Sequence, residues 1–233
     1  MIDRLSKNKF ESGNQMRVRK KKHGAERIEA CASLLIKDPS VLKENISKCF
    51  EVQTRPVHLE IGCGKGNFIC GMSAVNQDVN FIAMERVADV ACVALEKAII
   101  SEKERTDNLK FIIGDAQYLT DWLPEHSLDC IYITFCDPWP KAGHKKRRLT
   151  YSAFLNIYRK LLKSGGLLRF KTDNEGLFDF SLEQFSECDI TMVDLTKIRM
   201  ALVNTLSGVY HHRVKYPNIK YTHTASGTKG EHV

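Results

Sequence analysis

Four carboxylates in the central part of the chain stand at or directly after the ends of short apolar runs. They are Glu60, Glu85, Asp115 and Asp137. Each run has the length and composition of a buried strand, and helical segments separate the runs. Because the carboxyl ends of parallel strands meet at one edge of a sheet, we expect these acids to surround a single cleft. Such a cleft suits a ligand that carries positive charge and hydroxyl groups.

A glycine-rich loop, Gly62-Cys63-Gly64-Lys65-Gly66, follows the first of these runs. Its spacing is G-x-G-x-G, and Asn67 stands where a dinucleotide-binding G-x-G-x-x-G motif would place its third glycine. The three glycines would let the backbone pass close to a ligand. The spacing disfavours a nicotinamide-dependent oxidoreductase.

The loop and the acids together favour S-adenosyl-L-methionine as the ligand. This cofactor is cationic at its amine and its sulfonium, and its ribose offers two hydroxyl groups. We expect Glu60 near the amino-acid end, Glu85 on the ribose hydroxyls and Asp115 beside the adenine edge. Ordinary surface acids are the alternative interpretation of the same residues.

The segment F-C-D-P-W-P-K-A-G-H-K-K-R-R, residues 135–148, joins an acidic turn to a dense positive run. Pro138 and Pro140 restrict the backbone, and Trp139 offers a flat apolar face. The turn is predicted to hold Asp137 at the mouth of the cleft. There a carboxylate would stabilise the positive charge that arrives on a ring nitrogen, such as guanine N7, during methylation. A cap of the next turn, or a contact with the methionine amine, is the alternative role.

Cations follow this turn and also crowd the N-terminus. Lys141 and residues 144–148 are predicted to contact the phosphates of a polynucleotide. Residues 1–27 hold nine Lys or Arg against three acids, and so supply +6 of the net charge of +7. Two separate basic clusters favour nucleic acid as the partner over a small molecule. A solvated loop and a solvated tail are the alternative interpretation.

The elements that would position these residues alternate in type. Strands are predicted at residues 57–61, 80–85, 109–114, 129–135, 167–171 and 190–195. Helices are predicted at residues 25–37 and 39–50, from residue 67 onward, and at residues 88–101, 151–163 and 176–188. This alternation indicates an α/β fold in which helices cover both faces of a mostly parallel, Rossmann-like sheet.

The chain of 233 residues is expected to form one domain. Residues 1–24 are predicted to be a basic, mobile extension of the domain at 25–233. Within the domain, residues 25–50 form N-terminal helices, residues 56–196 the Rossmann-like core and residues 197–233 an atypical C-terminal segment. No apolar stretch is long enough to cross a bilayer, which predicts a cytoplasmic protein without a membrane partner.

The eight cysteines are predicted to be free thiols rather than disulfides. No C-x-x-C motif occurs, and Cys63, Cys70, Cys92 and Cys130 lie inside apolar segments typical of a core. No metal site is predicted either. The pair His211-His212 lacks the further ligands that such a site needs.

The motifs in these segments resemble those of the bacterial tRNA (guanine-N7-)-methyltransferases. The matching stretches are H-L-E-I-G-C-G-K-G-N-F, A-M-E-R, G-D-A, F-C-D-P-W-P-K-A-G-H-K-K-R-R-L-T and R-F-K-T-D-N, within residues 16–196. The D-P-W-P-K stretch and its cations are the most specific part. The resemblance implies a class I methyltransferase with a mostly parallel seven-stranded sheet. It implies methyl transfer from S-adenosyl-L-methionine to N7 of a guanosine in the tRNA variable loop.

The resemblance also assigns roles to matching positions. Cofactor contacts are implied for Glu60, Glu85, Asp115 and Asp137, and Asp137 matches the carboxylate proposed as catalytic. Substrate contacts are implied for Lys141 and Asp173, and RNA contacts for Gly143, His144, Lys145, Lys146, Arg147 and Arg148. Asp173 follows the strand at 167–171, where it could accept from guanine N1 and N2. An N-cap of the following helix is its alternative role. The implied partner is tRNA, with no stable protein partner and a monomer or homodimer as the assembly.

Two features depart from the family pattern. The family begins near M-R-x-R, here Met16-Arg17-Val18-Arg19, so residues 1–15 are an extension or precede the natural start. The family's T-x-Y-E tetrad, part of its substrate pocket, is absent, and residues 209–216 read V-Y-H-H-R-V-K-Y. A compensated reading-frame shift over residues 199–213 is one explanation. The tetrad's absence leaves two rivals: an RNA-binding protein of this fold with weak or lost catalysis, and a methyltransferase for another RNA or a small molecule.

Overall fold

The structure is a computed structural model that describes residues 22–101 and 107–192 and, for the backbone alone, residues 218–220. The predicted basic extension is therefore outside the described residues up to residue 21. The same holds for most of the C-terminal segment, including His211, His212 and the stretch where the tetrad is expected. No helix in the described ranges combines the length and apolar character that a membrane crossing requires.

Five parallel strands form the centre of the sheet. They are β1 (Val57–Ile61), β2 (Asn80–Glu85), β3 (Leu109–Ile113), β4 (Leu128–Thr134) and β5 (Leu162–Lys171). Their order across the sheet is β3-β2-β1-β4-β5, with each neighbouring pair parallel. The order reverses between β1 and β4, and a ligand crevice is expected at the carboxyl ends of the strands at such a point.

Helices cover both faces of this sheet, as predicted. They are α1 (Gly24–Glu29), α2 (Asn67–Val75), α3 (Ala88–Ser101), α4 (Leu119–Trp122), α5 (Ser152–Leu161) and α6 (Glu175–Glu187). One apolar core contains residues of α4, α5 and α6, and a second contains residues of α2 and α3. The strands contribute to both cores because successive side chains point to opposite faces.

Two short antiparallel segments lie beyond β5. Strand β7 (Asn218–Lys220) pairs with β5, and β6 (Thr191–Met192) pairs with β7. The strand predicted at 190–195 is described only as far as residue 192.

The predicted helices at 25–37 and 39–50 were wrong in extent. Helix α1 ends at Glu29, and the chain then runs beside β3, where the Phe111 amide donates to the Leu34 carbonyl at 2.8 Å. Two 3-10 turns, Pro39–Leu42 and Ile46–Cys49, replace the second helix. Each turn begins at a short polar side chain, Asp38 or Asn45, that accepts from the amide two residues later. Such local bonds compete with a continuous helix.

The strand predicted at 167–171 was wrong in its starting point. The helix ends at Leu161, and β5 starts at once and contains both Gly165 and Gly166. Gly165 has a φ of +76°, a conformation that favours glycine. A Cβ on Gly166 would approach the Lys163 carbonyl oxygen to 2.9 Å. The glycines therefore form a bend inside the strand, where the pairing register with β4 also shifts.

Candidate functional site

A cavity of about 570 Å³ opens at the carboxyl ends of the parallel strands. Glu85, Asp115 and Asp137, which follow three different strands, all line it. Its lining also includes Gly62 and Gly64 of the glycine loop, Trp139 of the proline-rich turn, and Lys146 and Arg147 of the positive run. The predicted cleft thus contains both carboxylates and cations in its lining.

Glu85 fixes the shape of the glycine loop. One carboxylate oxygen accepts from the Gly64 amide at 3.1 Å, and the other accepts from the Val87 amide at 2.9 Å. Gly64 has a φ of +57°, and a Cβ added there would meet no described atom within 4 Å. The loop therefore presents bare backbone beside a carboxylate whose orientation is already set.

Glu60 lies beneath this loop rather than in the cavity lining. Its side chain is buried, and one oxygen accepts from the Thr134 hydroxyl at 2.6 Å. The other oxygen has no hydrogen-bond partner within the described part of the chain. Burial raises the pKa of Glu60 to about 7, and the nearby Glu85 adds to the rise, whereas the Thr134 hydroxyl opposes it. An unpartnered buried carboxyl oxygen is expensive unless a cation or a donor reaches it.

Gly66 does not line the cavity. It stands at the N-terminus of α2 with a φ of +74°, and a Cβ there would lie 3.0 Å from the Cβ of Ala94. A glycine is required at this position because the start of α2 packs closely against α3 and leaves little room for a side chain. The role predicted for it, contact with the cofactor, is untested.

Asp115 is held by its own turn. One oxygen accepts from the Gln117 amide at 3.1 Å, and the other lies 3.7 Å from a guanidinium nitrogen of Arg86. Arg86 and Gln117 also line the cavity. Neither residue was predicted as part of the site, although Arg86 ends the A-M-E-R stretch that matches the family.

The residues two positions before and two positions after Asp137 have unfavourable backbone conformations. Phe135 has a φ of +51° and Trp139 a φ of +43°, which are uncommon values for bulky side chains. Asp137 is exposed, and it makes no hydrogen bond or ion pair with any described residue. The alternative that it caps the next turn finds no support, because Lys141 occupies the cap position and makes no side-chain cap bond. Strain at a non-glycine turn is typical of functional sites.

The positive run forms a 3-10 turn, Ala142–Arg147, that packs on Trp139. The His144 ring meets the Trp139 ring edge to face at 5.7 Å, and the Arg147 guanidinium lies over the same ring at 5.0 Å. Lys141, Gly143, Lys145, Lys146 and Arg147 are exposed. Arg148 is partly buried, and its guanidinium donates to the Pro138 and Trp139 carbonyl oxygens.

Asp173 follows β5 and is exposed, but it does not line the cavity. Its alternative role as an N-cap is wrong. Asn174 is the N-cap of α6, and its side-chain oxygen accepts from the Leu177 amide at 2.8 Å. The Asp173 side chain is thereby left available at the carboxyl end of a strand next to β4.

All eight cysteines lie in the described ranges, and none of them forms a disulfide there. The four named from their apolar surroundings, Cys63, Cys70, Cys92 and Cys130, are buried. Burial raises the pKa of Cys70 to about 11, which removes thiolate chemistry at neutral pH. Across the described ranges, no cluster of His, Cys, Asp and Glu has the arrangement of a metal site.

Known proteins match most of this chain. A family model described as "Putative methyltransferase" matches residues 54–217. The tRNA (guanine-N(7)-)-methyltransferase of Mesoplasma florum is 47% identical over 175 residues, which cover 74% of this chain and 78% of that protein. The enzyme of the same name from Lactococcus lactis subsp. cremoris is 40% identical over 167 residues, covering 72% and 75%. Among solved structures, an antibiotic-related methyltransferase matches with a TM-score of 0.50 and 20% identity, over 67% of this chain and 77% of that one.

The parallel sheet, its strand order and the cavity at its carboxyl edge define a Rossmann-like fold. The family model over residues 54–217 identifies the chain as a methyltransferase of this fold. The identities above carry the classification further. The chain belongs to the tRNA (guanine-N7-)-methyltransferase family. The family resemblance seen in the sequence is therefore confirmed, whereas the roles of individual residues stay predictions.

Proposed function

We propose that this protein transfers a methyl group from S-adenosyl-L-methionine to N7 of a guanosine in the variable loop of tRNA. The observation that carries the proposal is a cavity of about 570 Å³ whose lining contains both carboxylates, Glu85, Asp115 and Asp137, and cations, Lys146 and Arg147. That volume is within the range of small-ligand sites, roughly 300 to 1,000 Å³. The names of the family relatives support the choice of substrate and atom.

The glycine loop and the acids at the ends of β1, β2 and β3 fit S-adenosyl-L-methionine. The unpartnered oxygen of Glu60 would accept from a cationic amine, which removes the cost of leaving it bare. Each oxygen of Glu85 has a lone pair left beside its backbone bond, so Glu85 can accept from the ribose hydroxyls. Gly62 and Gly64 would let the loop backbone approach the cofactor, and Asp115 would lie at the adenine edge. When bound, this cofactor supplies a methyl group made electrophilic by its sulfonium.

The exposed carboxylate of Asp137 in the cavity lining supports the catalytic role proposed for it. Guanine N7 has a free lone pair, so no base must first remove a proton from it. The protein must instead align the ring and stabilise the positive charge that develops on it. The Asp137 carboxylate can do so because no described residue neutralises it. Lys141 and Asp173 would hold the guanine from the outside of the cavity, with Asp173 accepting from its N1 and N2 groups.

The positive run would hold the tRNA over the cavity. Gly143, His144, Lys145, Lys146 and Arg147 lie on one short turn, and the three cations among them are exposed. Their charges suit phosphate contacts, which fix the register of a nucleic acid without reading its bases. Arg148 was predicted to share this role, but its guanidinium already bonds inside the protein.

The remaining features of the proposal concern the whole chain. It comprises a basic extension at 1–24 and a single methyltransferase domain at 25–233, with β6 and β7 completing a seven-stranded sheet. It places the protein in the cytoplasm, where buried thiols stay reduced. It assigns no membrane and no stable protein partner, and a monomer or homodimer as the assembly.

The test is incubation of the purified protein with methyl-labelled cofactor and tRNA that lacks base methylation. Digestion to nucleosides should yield labelled 7-methylguanosine, and mapping should locate it in the variable loop. Binding of cofactor and tRNA without any transfer of label would instead support a non-catalytic RNA-binding protein. Label in another nucleoside, or only in small molecules, would overturn the assignment of the substrate.

A further inference from the structure

Arg148 differs from the other cations of the positive run in where its guanidinium is held. Its Nε donates to the Pro138 carbonyl oxygen at 3.0 Å, and a terminal nitrogen donates to the Trp139 carbonyl oxygen at 3.1 Å. Both acceptors belong to the turn that directly follows Asp137. A guanidinium that donates hydrogen bonds to two successive carbonyl oxygens restricts the backbone between them, because its donors lie in one rigid plane.

The position of Arg148 is itself fixed from two sides. Its guanidinium lies over the Phe180 ring of α6, with Cζ 4.3 Å from the ring centroid. Its backbone amide donates to the Lys145 carbonyl at 3.2 Å, and its carbonyl accepts from the Tyr151 amide at 2.9 Å. The side chain therefore connects a helix of the domain to the turn, and movement of either partner would break this contact set.

The turn needs such support. The positive φ values of Phe135 and Trp139 are unfavourable for bulky residues, and Asp137 makes no polar contact with a described residue that would hold its side chain. Arg148 donates to both the Pro138 and the Trp139 carbonyl oxygens. Without those two bonds, the turn would relax toward ordinary φ values and carry the carboxylate away from its place in the cavity.

We propose that Arg148 is a positioning residue that holds the Asp137 turn in its strained form, and that it does not serve as a phosphate contact. The catalytic consequence rests on the proposed function, because a displaced carboxylate would no longer lie against the methylated base. The effect on the turn itself does not depend on that function.

The decisive comparison is between Arg148→Lys and Arg148→Gln. Lysine keeps the charge that a phosphate would need but lacks the planar fork that bonds two carbonyls. Both variants should lower kcat at saturating tRNA and cofactor by about tenfold to a hundredfold. Both should leave the Kd for tRNA and its salt dependence close to the wild-type values. Lys160→Gln, which removes an exposed cation of α5, should change none of these quantities.

A third variant tests the support from α6 without altering any charge. Phe180→Leu keeps an apolar side chain but removes the ring beneath the guanidinium. We expect a fall in kcat in the same direction as that of Arg148→Lys, with tRNA binding unchanged. This variant also decides the question if Arg148→Gln fails to fold.

Hydrogen exchange separates this inference from the proposed function. In Arg148→Lys, the amides of the non-proline residues between 135 and 141 should exchange faster, above all that of Phe135, which donates to the Lys171 carbonyl at 2.8 Å. The amides of β1 should exchange at the wild-type rate. That result would support the positioning role even if the wild-type protein makes no 7-methylguanosine. The inference is overturned if Arg148→Lys matches the wild type in kcat and exchange, or if Arg148→Lys weakens tRNA binding and its salt dependence while kcat is retained.

Discussion

Asp137 is exposed in a cavity where its neighbours are held by hydrogen bonds, and this contrast predicts a catalytic rather than a binding effect. Asp137→Asn keeps the size of the side chain and removes its charge. We expect kcat for tRNA methylation to fall by about a hundredfold, the magnitude seen when one preorganised electrostatic contact to a transition state is lost. The Kd for tRNA, measured by filter binding, should change little, because phosphates supply most of that affinity.

The control for this variant is Asp78→Asn, which removes an exposed carboxylate from the turn before β2, at the opposite edge of the sheet. It should leave both kcat and Kd at wild-type values. Equal losses of kcat and tRNA affinity in Asp137→Asn would mean that Asp137 is only a binding group.

The raised pKa of Glu60 leads us to expect that cofactor binding depends on pH. Because burial raises its pKa to about 7, the free protein holds a proton there below neutral pH. A cationic amine favours the ionised carboxylate, so binding must release that proton when the pH is below 7. The affinity for S-adenosyl-L-methionine should therefore rise as pH increases toward 7 and level off above it. Calorimetry in two buffers of different ionisation enthalpy would count the protons released.

Glu60→Gln gives the matched comparison, because the amide oxygen can still accept from the Thr134 hydroxyl. Its cofactor affinity should be weaker and nearly independent of pH between 6 and 8. A wild-type affinity that stays flat through pH 7, with no proton release, would mean that Glu60 does not meet the cationic end of the cofactor.

The turn before α6 contains two neighbouring residues with different predicted roles. Asn174 should contribute to the stability of the helix, and Asp173 should contribute to substrate binding. Asn174 caps α6, so Asn174→Ala should lower the free energy of unfolding by about 1 kcal/mol. Asn174→Asp should retain the cap and most of that stability. Asp173→Ala should change stability by less than about 0.5 kcal/mol, while kcat/KM for tRNA falls. Urea unfolding and steady-state kinetics on the same preparations would measure both quantities.

Results opposite to these would show that the two roles are exchanged. A stability loss in Asp173→Ala as large as that in Asn174→Ala would make Asp173 part of the helix N-terminus. It would also withdraw the argument that its side chain remains available to guanine.

The elements that the sequence predicted well are those whose pattern depends on local chain properties. The bounds of β1, β2 and α3 agree with the structure, because buried parallel strands are short apolar runs and α3 has helical periodicity. The segment after Glu29 was mispredicted because its apolar residues pair with β3, a contact that no local pattern encodes. The early start of β5 was missed because glycines, which usually mark turns, here form a bend within the strand.

The same division holds at the candidate site. Strand topology alone brings Glu85, Asp115 and Asp137 to one edge, so their shared cavity could be predicted. The extent to which each side chain is buried could not be predicted from the topology. Glu60 is buried and does not line the cavity. Nor could the sequence distinguish Arg148 from Arg147. The Arg148 guanidinium bonds to backbone carbonyls, whereas the Arg147 guanidinium lies over the Trp139 ring.

For the whole molecule, the distribution of charge matters more than the total of +7. Carboxylates and cations line the same cavity, so a cationic cofactor and a polyanionic substrate can approach the same opening. Because opposite charges lie in one cavity, their electrostatic potentials partly cancel far from the protein. Salt also screens the potential of each charge beyond about 10 Å. The attraction for tRNA should therefore arise from local contacts made by the exposed cations.

This local attraction predicts the salt dependence of tRNA binding. Changing Lys145, Lys146 and Arg147 together to Gln removes the exposed cations of the positive run and leaves Arg148 in place. Each phosphate contact contributes about 0.7 to 0.9 to the slope of log K against log salt, so the slope should flatten by about 2 to 3. A matched variant that changes Lys48, Lys160 and Lys163 to Gln removes the same charge from exposed positions that do not line the cavity. If both variants flatten the slope equally, net charge drives the binding; if neither does, the positive run does not contact phosphates and the tRNA must reach the cavity by another surface.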